Sequence, residues 1–81
     1  MAHYVVVLHW TSEGDNGCNV LGVCHTLDEA KEIFQNHIGD ERDYADGNGW
    51  EIYTDNDIEF DAGEGGYYVN NNTRLFIQEV N

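Results

Sequence analysis

The spacing of apolar residues changes twice along this 81-residue chain, and those two changes limit the folds open to it. Tyr4 to Trp10 (YVVVLHW) is a β-branched and aromatic run without alternation, the composition of a buried central strand. Thr11 to Gly17 is polar and ends its turn signal in Asn16-Gly17. Asn19 to His25 (NVLGVCH) then reads as a second strand, paired with the first as a hairpin. Gly22 inside it predicts a bulge or a close backbone approach.

The first change of period comes at Thr26. Leu27, Ala30, Ile33, Phe34, His37 and Ile38 recur at helical spacing. Thr26 and Glu29 have the positions of a capping box, in which each side chain takes an orphan backbone amide of the other. Asp28 and Glu29 stand where the helix dipole favours negative charge. The apolar phase persists through Tyr44 and Ala45, so the helix is expected to run through a weak point at Gly39 and stop at Gly47-Asn48-Gly49.

The second change comes at Trp50, where the period becomes two. Trp50, Ile52, Ile58, Phe60 and Ala62 share one parity. Glu51, Tyr53, Asp55, Asp57, Glu59 and Asp61 share the other, so an unbroken strand would have one apolar and one anionic face. Thr54 to Asp57 is alternatively a turn between two shorter strands. Gly63-Glu64-Gly65-Gly66 reads as a turn, Tyr67 to Val69 as a short strand, Asn70 to Asn72 as another turn and Thr73 to Val80 as the last strand. The expected fold is one α+β domain over residues 1–81, an antiparallel sheet of four or five strands with one helix packed on one face, in the order β-β-α-β-β-β.

Sixteen Asp and Glu against three Lys and Arg leave a formal net charge of −13. Few carboxylates can find a basic partner within the chain; Lys31 is expected to pair with helix acids and Arg74 with a cross-strand carboxylate. Direct binding to nucleic acid or to an anionic membrane is disfavoured, since both need a basic surface. The N-terminal residues form no signal peptide, no segment approaches the length of a membrane span, and the two cysteines are expected to stay reduced, all consistent with a cytoplasmic setting.

The motifs of catalysis and metal binding fit poorly. Asp55 to Glu59 begins like a calcium loop, but Phe60 stands where glycine must turn the chain. The His and Cys residues lack zinc-site spacing. No basic group is placed to activate Cys24 as a nucleophile, and Gly63 to Gly66 lacks the lysine of a phosphate loop. No cofactor and no enzymatic activity are expected.

The acidic stretch is the informative segment. Carboxylates at i and i+2 on a strand lie roughly 6.8 Å apart, of the order of the phosphate spacing in a nucleic-acid strand. Like charges in a row oppose folding unless something cationic approaches. In size and charge the chain is similar to small acidic inhibitors encoded by phages and mobile elements, some anti-CRISPR and other DNA-mimic proteins among them. That likeness implies a protein that blocks a nucleic-acid-binding partner. The expected function is a non-enzymatic protein-binding module meeting a basic protein surface through Glu51, Tyr53, Asp55, Asp57, Glu59, Asp61 and Glu64. The alternatives are a structural or regulatory subunit that binds through aromatics or a sheet edge, and a weak divalent-cation-binding domain.

Overall fold

A computed structural model describes residues 2–12, 15–64 and 71–81. The elements are β1 (His3–Ser12), β2 (Asp15–Cys24), α1 (Leu27–Gly47), β3 (Glu51–Asp55), β4 (Glu59–Gly63) and β5 (Asn72–Val80). The strands form one antiparallel sheet in the order β2-β1-β5-β4-β3, and α1 packs against it, so the fold is the α+β arrangement that the periodicity predicts. The first turn is shorter than expected: both strands extend into Thr11–Gly17, so that Trp10 pairs with Gly17 and Ser12 with Asp15. The expected strand at Tyr67 to Val69 lies outside the described residues.

β1 pairs on both sides, with β2 and β5, yet only one of its faces is covered by a described element. Val6 faces the helix and is fully buried, with Tyr4 and Leu8 packed beside it. Val5 and Val7, on the other face, are half-buried rather than enclosed. The core lies between this face and the helix: Phe34, Phe60, Leu75 and Val6 are its largest fully buried side chains. The bulge expected near Gly22 forms beside it, and the helix side chain Ile33 packs close over the glycine. The register of β1 with β2 shifts at Val6/Val7, leaving Leu21 as the extra residue, and a Cβ on Gly22 would stand 2.5 Å from Ile33 Cδ1 of the helix.

The helix runs through Gly39. At its start Thr26 Oγ1 accepts from the Glu29 amide at 3.2 Å. The box closes differently from expectation, because the Glu29 carboxylate takes the Thr26 hydroxyl at 3.1 Å. At its end Gly49 adopts a left-handed conformation with φ 69°; its amide donates to Asp46 O at 3.1 Å and the Trp50 amide to Ala45 O at 2.9 Å. These two bonds are a Schellman closure, with Gly49 at the position that favours glycine.

Candidate functional site

Of the two readings of residues 51–61, the turn between two shorter strands is the one that forms, and the unbroken anionic ribbon does not. The chain turns at Asn56, whose Oδ1 accepts from the amides of Ile58 at 2.9 Å and Glu59 at 2.8 Å. β3 and β4 therefore run antiparallel, and a register shift between Ile52 and Thr54 leaves Tyr53 as an extra residue. That one residue reverses the parity. Ile52 pairs with Ala62 and Asp55 with Phe60, so Ile52 and Asp55 lie on the same, helix-facing side although their parities differ. Glu59 and Asp61 lie on the opposite face, as does Glu51 across from Gly63. Asp57 sits in the turn.

The carboxylates of this segment are also less free than their density implies. Arg42 of the helix donates to Asp55 through Nε at 3.1 Å and Nη2 at 2.6 Å. Lys31 meets Asp57 at 3.0 Å, in place of the helix acids expected for it. Arg74 donates to Glu59 Oε2 at 2.7 Å, the expected cross-strand pairing, with its guanidinium 4.0 Å above the Phe76 ring. The hydrogen bond from Lys31, then its charge, holds the Asp57 carboxyl below the usual range, and the bond to Asp55 raises the Arg42 guanidinium. Asp61 accepts from Asn72 Nδ2 at 2.7 Å and Glu64 from Asn71 Nδ2 at 2.8 Å. Asp55, Asp57 and Glu59 thus hold all three Lys and Arg side chains of the chain.

The longest run of carboxylates without a Lys or Arg partner lies on a surface that the strand pattern did not point to. Asp28, Glu29, Glu32, Asp40, Asp43 and Asp46 are all exposed on the helix, opposite its buried stripe of Ala30, Phe34, Ile38 and Ala45. At 1.5 Å per residue the strip from Asp28 to Asp46 is about 27 Å long. Asp43 and Asp46 lie toward the helix C-terminus, whose last turn holds no basic residue. Carboxylates there oppose the dipole, and like charges three or four residues apart oppose the helix itself. The signal was present in the sequence, since these acids recur at the helical period half a turn away from the apolar residues.

The helix ending also shapes a cleft. The Schellman closure brings Trp50 against Tyr44, ring centroids 5.2 Å apart and nearly perpendicular. These two rings, with Trp10, Leu8, Glu41 and Thr73, line a cleft of about 260 Å³ between the end of the helix and the sheet. Trp10 and Trp50 are therefore half-buried, while Tyr53 is exposed; Tyr67 and Tyr68 lie outside the described residues.

The sheet face that no described element covers carries a different character. Val20 and Val23 of the edge strand β2 are 60% and 66% exposed, beside the half-buried Val5, Val7 and Phe76. Cys18 is on this face and Cys24 on the helix side, both free thiols. Among the described residues no three His, Cys, Asp or Glu side chains converge to hold a metal ion, and no helix is long and apolar enough to cross a membrane. No protein-family model, curated protein or solved structure matches the chain.

Proposed function

We propose that this chain is a non-enzymatic protein-binding module that docks through its anionic surface on a basic protein surface. Its most specific form is an inhibitor that occupies the nucleic-acid groove of a nucleic-acid-binding protein. The observation carrying this reading is the outer face of α1: six carboxylates with no Lys or Arg engaging them, two of them set against the helix dipole. Charge arranged at the expense of local stability calls for a cationic counterpart. The strand carboxylates Glu51 and Asp61 on the other side, and Glu64 just past β4, add to the negative field, whereas Asp55, Asp57 and Glu59 are already committed to internal pairs.

The test separates binding from folding. Asp43→Asn with Asp46→Asn removes charge from the end of the helix where it is least favourable, so the double variant should melt higher than the parent. Its affinity for a basic partner isolated from host lysate should fall, the parent complex should weaken steeply as salt rises, and DNA should compete. A partner whose binding ignores salt, DNA and the double substitution would remove this reading.

A second reading has its own observation, the exposed Val20 and Val23 on the edge strand, on a sheet face that no described element covers. A regulatory or structural subunit joining a partner there would lose binding on Val23→Asp, keep it in the Asp43/Asp46 variant, and hold its partner at high salt.

A further inference from the structure

We propose that the cleft at the end of α1 receives an arginine side chain of the basic partner, an inference that rests on the reading of a basic partner given above. Three features of the cleft favour a cation. Its walls include Trp10, Tyr44 and Trp50, and the faces of such rings are electrostatically negative. It lies at the C-terminal, negative end of the helix dipole. It also contains the Glu41 carboxylate, whose Oε2 accepts from Thr73 Oγ1 at 3.0 Å while no described residue donates to Oε1.

The same carboxylate argues against an apolar occupant. Thr73 is only 4% exposed, so the floor of the cleft is already withdrawn from water. An aliphatic side chain filling the remaining space would strip water from Glu41 and give no hydrogen bond in return. A guanidinium provides that bond and lies flat against an aromatic ring, which a compact ammonium cannot do. At about 260 Å³ the cleft falls just short of the range for drug-sized ligands, roughly 300–1,000 Å³, and suits one long side chain. The rings are held for this purpose by the backbone: Trp50 is fixed on Tyr44 by the helix closure, and Trp10 lies over Gly17, where a Cβ would stand 2.6 Å from its ring.

The experiment is an NMR titration of the full chain with N-acetyl-arginine amide, and with the citrulline and lysine counterparts. The arginine probe should shift the indole N–H signals of Trp10 and Trp50. The neutral citrulline probe should bind roughly tenfold more weakly, reflecting the loss of a charge-assisted bond. Glu41→Gln keeps an oxygen for Thr73 and should cost the arginine probe a similar factor, whereas Asp28→Asn with Glu32→Gln on the outer helix face should leave it unchanged. Equal binding of arginine and citrulline, lysine binding as tight as arginine, or indifference to Glu41→Gln would each overturn the proposal. The two readings fail separately. If the cleft ignores arginine while the Asp43/Asp46 variant still weakens the partner complex, only the cleft is lost. If the cleft binds arginine but the partner ignores salt, the anionic docking surface is lost instead.

Discussion

Adding one methyl group should have opposite effects at Gly39 and Gly63. Gly39 lies inside the helix with no atom within 4 Å of where a Cβ would stand. Gly39→Ala should therefore stabilise the protein by about 1 kcal/mol, the helix-propensity difference, seen as a rise in melting temperature of about 4–8 °C. At Gly63 the new Cβ would stand 2.8 Å from the backbone oxygen of Asn71, a neighbour that no side-chain rotation can move. Gly63→Ala should cost about 1–3 kcal/mol, and a melting series placing it above Gly39→Ala would contradict the packing described here. Asp57 supplies a prediction in pH. Its folded pKa is depressed by Lys31, so the pair supports folding above the ordinary carboxylate range and ceases to do so as pH falls through the lowered value. Following the Asp57 carboxyl by NMR should give a midpoint below that of an unpaired aspartate, and Lys31→Met should restore it; an unchanged midpoint would show the pair to be absent in solution. Much at this scale was legible in the sequence, because Gly22, Thr26 and Gly47-Asn48-Gly49 are residue types tied to particular backbone needs. The partners of Lys31 and Arg42 were not, since each pairs with an acid far along the chain that only the folded sheet brings near.

Among the elements, α1 was the most readable, because its apolar spacing, its first-turn acids and its glycine stop all agree. Residues 50–62 were the least readable. The bulge at Tyr53 leaves no mark in composition, as Tyr53 and both its neighbours are ordinary strand residues, yet it moves Asp55 to the opposite face from the one its parity implies. The anionic helix strip was readable but outcompeted by the denser run of acids in the strands. Phe34 shows how much of the fold hangs on the helix. It is fully buried between α1 and the sheet, and Phe34→Ala should cost about 3–5 kcal/mol. A chain of this size is expected to have a total stability of only about 4–12 kcal/mol. Urea denaturation should find the midpoint of the variant far below that of the parent, and a midpoint near that of the parent would mean that the helix is not docked as described.

At the scale of the molecule, a net charge of −13 sets the response to salt. Three internal ion pairs weaken as salt rises, but repulsion among the remaining carboxylates is relieved at the same time, and the larger population decides the sign. Raising the ionic strength from 0.01 M to 0.15 M shortens the screening length from about 30 Å to about 8 Å. That is well within the 42 Å length of the molecule, so the melting temperature should rise over this interval. A fall would show that the three pairs outweigh the repulsion.

The three clamped cations have a practical consequence. Trypsin cuts only after lysine or arginine, which it must draw into a pocket carrying an aspartate of its own. In this fold each such side chain is already held by a carboxylate, and each lies within a helix or strand whose backbone is hydrogen-bonded. The native protein therefore offers the protease no ready bond, and digestion waits on unfolding. The rate at which trypsin destroys the chain becomes a gauge of how often it opens.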